Sequence, residues 1–219
     1  MKDIAQFIAG FRHFQEKYFS AEQELFEQLR QGQRPKVLIV ACADSRVDPA
    51  LLMGAEPGDL FVVRNVANLV PPYEPGGSFA SVPAALEFAV LALAVEHVIV
   101  LGHAQCGGIH ALMSNCAAGG EFIGKWMSIA TPARQRVLAE LPSKPLALQS
   151  RACEQAAILV SLENLLSYPW IAQRVAAGTM HLHGWYFDMA QGSLLHYNPA
   201  RNSFEPITEN SAAQSGVTE

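Results

Sequence analysis

Three residues in this chain have the types and spacing to hold a metal ion: Cys42, His103 and Cys106. His103 and Cys106 form an H-x2-C pair, which can put an imidazole and a thiolate on one ion. Two thiolates and one imidazole make a tetrahedral zinc site with its fourth position open, the arrangement of a catalytic zinc. Taken singly, each residue has a plainer reading: a cysteine is often a small buried hydrophobe, and a histidine after a strand a capped core residue. Gly102, Gly107 and Gly108 flank the pair and permit tight turns, which favours the metal reading. Asp44 and Arg46 follow Cys42 by two and four residues. A carboxylate there can ligate the ion or accept a hydrogen bond from its water, and an arginine can hold that carboxylate in place. The alternative is an ordinary surface ion pair of little consequence.

The elements that must position these residues can be read from periodicity. KVLIVA (36–41) is a continuous apolar run ending at Cys42, a fully buried strand. LFVV (60–63) is a second strand, and HVIVLG (97–102) a third that ends at His103. Both ligand groups therefore follow the carboxyl ends of parallel strands, where open α/β sheets place their sites. Residues 82–95 carry two apolar stripes on one helical pattern, and a helix apolar on two faces is buried on both. The second face suggests another subunit. Helical periods also cover 3–31, as two helices, 105–113 and 151–167. The stretch 116–146 reads as loop with one or two short helices, and 179–188 and 193–197 as late strands. Strand–helix alternation predicts an α/β fold, a central, mainly parallel sheet of four to five strands with helices on both faces. Residues 1–207 form one domain on this reading, with an N-terminal helical arm over 1–31, and 208–219 a polar, disordered tail.

Composition narrows the function classes. Half of the 219 residues are hydrophobic and 16% are charged, so the chain can bury a core. A net charge of −5 without a basic stripe argues against nucleic acid, and no apolar run reaches membrane length. The N-terminus does not read as a signal peptide, so cytoplasm is expected. Four cysteines are no disulfide scaffold; Cys116 and Cys153 are expected to be spectators.

The motifs C-x-D-x-R (42–46) and H-x2-C (103–106) resemble those of the β-class carbonic anhydrases, in the plant-like branch. GQRPKVLIVACADSRVDP, EPGDLFVVRNVANLVPPYE, AALEFAV, VIVLGHAQCGGI and HGWYFD match in the family's order and cover most of residues 30–190. The resemblance implies one zinc per chain on Cys42, His103 and Cys106, with Asp44 and Arg46 as a catalytic dyad. It implies reversible hydration of carbon dioxide to bicarbonate and a proton. Gln33 would donate a hydrogen bond to substrate or product. Phe61, Val66 and Phe88 match positions of the carbon dioxide pocket, although plain packing accounts for them nearly as well. A homodimer or homotetramer is implied, with the N-terminal helices packing on a partner subunit.

One subgroup of the family binds bicarbonate at a noncatalytic pocket built from a tryptophan, a tyrosine and an arginine. The matching positions here are Ile39, Phe187 and Arg64, so only the arginine remains. GSFASVP (77–83) also departs from the family's usual stretch. Hydrolysis of carbonyl sulfide or carbon disulfide at the same site is the near alternative. A zinc-holding scaffold without turnover is the alternative of another class, which the intact Asp44, Arg46 and Gln33 disfavour. A redox dithiol is weaker, since no C-x2-C is present. His97, His110, His181 and His183 are candidates for a proton shuttle by residue type only.

Overall fold

The structure, a computed structural model, describes residues 3–21, 23–76, 80–114 and 120–207. The tail from 208, Cys116 and positions 77–79 of the divergent stretch lie outside the described residues. The chain divides into two compact units, Met1–Arg34 and Pro35–Glu219.

The first unit is a helical arm. α1 (Ile4–Gln15) begins at an Asp3 cap, whose carboxylate accepts from the Gln6 amide while the Gln6 side chain accepts from the Asp3 amide. A π-helical stretch, Glu16–Ala21, leads to α2 (Gln23–Leu29). The rings of Phe14, Tyr18 and Phe26 pack in tilted and edge-to-face pairs, with centroids within 5.7 Å of one another, and hold this unit together. Ile4, Phe7, Ile8 and Phe11 form an apolar face on α1 that stays more than half exposed.

The second unit is built on one six-stranded sheet in the order β2-β1-β3-β4-β5-β6. β1 (Val37–Cys42), β2 (Leu60–Asn65), β3 (His97–His103) and β4 (His181–Asp188) run parallel. β5 (Ser193–Asn198) and β6 (Ser203–Pro206) continue antiparallel. The sheet therefore has one strand more than expected. β6 is four residues of SFEP, with a charge and a proline, too short for alternation to mark.

Side chains alternate across this sheet. Leu38, Val40, Val98, Val100, Leu182 and Tyr186 face one core, while Ile39, Ala41, Ile99 and Leu101 face the other. On the first face lie α8 (Leu146–Leu166), α4 (Ser81–Glu87) and α9 (Pro169–Ala176). On the second, Leu52 and Met53 of α3 (Pro49–Met53) pack on the strands. Gly102 and Gly184 let α8 approach closely: a Cβ at Gly102 would lie 2.7 Å from Ile158 Cδ1, and one at Gly184 2.9 Å from Ile158 Cγ2. The helix expected over 82–95 is α4 followed by a π-helical stretch, Phe88–Ala92. α5 (Gly107–Met113), α6 (Ile123–Met127) and α7 (Thr131–Glu140) complete the unit. α6 and α7 are the short helices expected within 116–146, and α7, ten residues long, packs on α8 through Ala133 and Val137. No helix of the described residues is long and apolar enough to cross a membrane.

Candidate metal centre

Parallel pairing of β1 and β3 brings two segments sixty residues apart to one edge of the sheet. Cys42 is the last residue of β1 and His103 the last of β3. Beyond His103 the chain turns through Gln105 at φ 58, a left-handed conformation uncommon for a side-chain-bearing residue, and reaches Cys106 at the start of α5. The Cys42 and Cys106 sulfurs lie 4.0 Å apart. One ligand atom from each of Cys42, His103 and Cys106 falls within 4.8 Å of the others, and all three residues are buried.

This donor set fits a zinc ion. Tetrahedral zinc with thiolates at ~2.3 Å places two sulfurs about 3.8 Å apart, close to the spacing found. His103 Nδ1 lies 2.9 Å from the Ala104 carbonyl, so it carries the ring proton. Nε2 is then the lone-pair nitrogen; it is buried without a hydrogen-bond partner. An imidazole oriented by a backbone carbonyl, with its other nitrogen unpaired, is a metal ligand's arrangement.

The two thiols are strongly coupled. The two sulfurs share one hydrogen bond, which holds the Cys42 thiol below its ordinary value against the opposing effect of burial. The Ala67 amide, 3.4 Å from the Cys42 sulfur, acts in the same direction. Cys106 is correspondingly pushed far up, first by that shared hydrogen bond and then by burial and the neighbouring thiolate. Both sulfurs must lose their protons to act as thiolate ligands. A cation among the three ligands would release both, which is how thiolate sites couple metal binding to proton release.

Asp44 and Arg46 occupy the loop after β1. Arg46 Nε donates to Asp44 Oδ1 at 2.9 Å and Nη2 to Oδ2 at 2.7 Å, a bidentate pair. The Arg46 amide adds a third bond to Oδ1. These bonds hold the Asp44 carboxyl well below the usual carboxylate range. Arg46 Nη2 also donates to the Gln105 carbonyl at 3.0 Å, tying the two ligand loops together. Asp44 Oδ2 faces the cluster, 3.9 Å from His103 Nε2.

Arg64 holds this loop from β2. Its guanidinium donates to the carbonyls of Cys42, Asp44 and Val47 and to the Asp48 carboxylate. The loop after β2 is bent through Ala67 and Asn68, both at positive φ. Asn65 clamps it, accepting from and donating to the backbone of Leu69, and this delivers the Ala67 amide to the Cys42 sulfur.

The pocket residues separate. Val66 borders the centre: a Cβ at Gly108 would lie 2.8 Å from its Cγ1. Phe61 stands five residues back along β2, about 16 Å by strand rise. It pairs with Phe88 at 5.9 Å between ring centroids, and Phe88 is half exposed. Gln33 is exposed and belongs to the N-terminal unit. Of the histidines, His97 and His183 bond to each other at 3.1 Å at the start of the strands, the opposite end from the cluster. Ile39 and Phe187 pack in one apolar cluster with Ile99 and Leu101.

Sequence reasoning missed Glu154. This α8 carboxylate is buried, accepts from the Cys106 amide at 3.0 Å and from the Tyr186 hydroxyl at 2.7 Å. The one charged residue on the buried side of α8 was the signal available.

Comparison with known proteins agrees with this geometry. A family model described as carbonic anhydrase matches residues 37–194. β carbonic anhydrase 5, chloroplastic, of Arabidopsis thaliana is 43% identical over 180 residues, 81% of this chain. The chain spans 59% of that relative's length. Among solved structures, the β-carbonic anhydrase CcaA superposes with a TM-score of 0.88 at 35% identity, covering 94% of this chain and 92% of that one. Tetrameric β-carbonic anhydrases of the ascomycete Sordaria macrospora reach 0.72 at 28% identity, covering 88% of this chain and 92% of theirs.

Proposed function

This chain belongs to the carbonic anhydrase family, in its β class, and from that premise we propose that it catalyses the reversible hydration of carbon dioxide to bicarbonate and a proton. The observation that carries the proposal is a carboxylate gripped by Arg46 beside two sulfurs and an unpaired imidazole nitrogen. Cys42, His103 and Cys106 hold one zinc per chain. When bound, zinc supplies the Lewis acidity that makes hydroxide available near neutral pH.

The chain's own residues do the rest. Asp44 accepts, at Oδ2, the hydrogen of the attacking oxygen and so aims a lone pair at the carbon of carbon dioxide. Arg46 keeps Asp44 ionised, and therefore acceptor-only, and would hold it off a bound metal. The family resemblance assigns Gln33 a hydrogen bond to an oxygen of the forming bicarbonate. Val66 gives the pocket an apolar wall; Phe61 and Phe88, paired and with Phe88 half exposed, would extend it if a second chain packs on them. A dimer or tetramer fits the exposed apolar faces of α1 and of Phe88 and Leu91, and the Sordaria relatives are tetrameric. A cytoplasmic setting fits two cysteine ligands, which need reducing conditions to stay available.

Stopped-flow hydration of carbon dioxide, on protein of measured zinc content, tests the proposal. Turnover proportional to zinc is the expected result. Zinc-replete protein that is inert on carbon dioxide but hydrolyses carbonyl sulfide or carbon disulfide would move the assignment to those substrates. Inertness on all three would leave a zinc-holding scaffold.

A further inference from the structure

Glu154 is an anomaly in its surroundings. Its neighbours on the buried side of α8 include Cys153, Ala157 and Ile158, and the carboxylate is 5% exposed. The nearest cation on its helix, Arg151, is engaged 2.8 Å from Asp188. Each Glu154 oxygen takes one donor instead, Oε1 the Cys106 amide and Oε2 the Tyr186 hydroxyl. Burial and the adjacent carboxylate push the Tyr186 hydroxyl upward, so it remains the donor in that pair.

The turn that Glu154 holds needs holding. Gln105 is left-handed, and the Cys106 amide precedes α5 with no helical carbonyl to receive it. Three elements pin this turn. Arg46 takes the Gln105 carbonyl from the loop after β1, β4 takes the Ala104 amide at the Phe187 carbonyl, and α8 takes the Cys106 amide through Glu154. Tyr186 in turn fixes the carboxylate to β4. Among these contacts, Glu154 alone grips the residue that carries a sulfur of the cluster.

We propose that Glu154 is a positioning residue for the metal centre, which presets the Cys106 sulfur for zinc through the Cys106 amide and is itself anchored by the Tyr186 hydroxyl. This rests on the zinc reading above. The plainer reading is that Glu154 only satisfies a buried amide and contributes to stability alone. The two differ in what they do to zinc affinity. Outer contacts that orient a ligand cost about 10–100-fold in metal affinity when removed.

The test is zinc affinity by chelator competition on the full chain, for Glu154→Leu, Glu154→Gln, Tyr186→Phe and Asn164→Leu. Asn164, also on α8, donates to the Val70 carbonyl and does not touch the ligand turn, so its variant reports general destabilisation. Glu154→Leu should weaken zinc binding about 10–100-fold. Glu154→Gln keeps an acceptor for the amide and can donate to the tyrosine oxygen, so it should restore most of the affinity. Tyr186→Phe should fall between them, with Asn164→Leu near the unaltered protein. Equal zinc loss in Glu154→Leu and Asn164→Leu, or none in Glu154→Leu, would overturn the proposal. If Glu154→Leu does not fold, undiminished affinity in Tyr186→Phe overturns it. A Cys106→Ser chain that still binds zinc normally would instead sink the zinc reading itself.

Discussion

Asp44 Oδ2 lies 3.9 Å from His103 Nε2, although the carboxylate is bound through both oxygens to Arg46. The side chain is thus near enough to the cluster to act on what binds there and is kept from entering it. The same guanidinium reaches the Gln105 carbonyl, so the distance is set by a residue that touches both ligand loops.

The dyad has a direct test. Asp44→Asn should keep zinc and lose turnover by about a hundredfold or more, the scale found when one preorganised hydrogen-bonding group is removed. An amide can present a donor where the reaction needs an acceptor. Stopped-flow kinetics on zinc-replete variant protein checks this, and near-normal rates would refute the role of Asp44.

The ligand set separates two buried cysteines. Metal analysis of Cys106→Ser should find most zinc gone, whereas Cys153→Ser should retain it. Cys153 is fully buried and lies outside the Cys42–His103–Cys106 cluster, and burial pushes its thiol up to about 12. Equal loss in both variants would remove the assignment.

Gly102 has a steric reason to be glycine. Gly102→Ala should destabilise the protein by about 1–3 kcal/mol, because the new methyl meets Ile158 Cδ1 at 2.7 Å. Ile158→Val deletes that carbon. In a double-mutant cycle followed by urea unfolding, the pair should couple favourably by at least about 0.5 kcal/mol. Strict additivity would mean that Ile158 Cδ1 is not the atom that resists the new methyl.

The Arg151–Asp188 pair sets an acid dependence. The Arg151 hydrogen bond lowers the Asp188 pKa in the folded protein. The pair therefore stabilises fully above the unfolded value, about pH 4, and its contribution fades as pH falls through the lowered one. Asp188→Asn keeps an acceptor for the Ala190 and Gln191 amides but loses the charge. It should cost about 1 kcal/mol at pH 7, discounted for the partly exposed arginine. The difference between the two proteins should shrink below pH 4, and a constant difference would contradict the linkage.

Bicarbonate should inhibit without cooperativity. Ile39 and Phe187 share an apolar cluster, and Arg64 already spends four donors on Cys42, Asp44, Val47 and Asp48. An anion there would lack the partners that offset its desolvation. Initial hydration rates against bicarbonate, at fixed pH and ionic strength, should fall hyperbolically; a sigmoidal curve would show that these substitutions do not close the pocket.

Local pattern by itself determined much of this protein. Apolar runs ending at Cys42 and His103 marked two strands and put both residues at carboxyl ends, and strand–helix alternation implied that those ends converge. Spacing then joined Cys106 to His103 and Asp44 to Arg46, because residues so near in sequence can share a turn. Tertiary structure alone decided who holds the centre. Glu154 meets Cys106 from 48 residues away, and Arg64 reaches carbonyls of the Cys42–Val47 loop from the neighbouring strand. Phe61, Val66 and Phe88 look like one pocket as a list, yet strand rise separates the first two within the chain. α9, eight residues, and β6, four residues, are too short for periodicity to mark. The physical reason is common to all of these. Periodicity records which face of an element is buried, whereas a hydrogen bond between elements depends on how closely and in what register they pack, which no local pattern encodes.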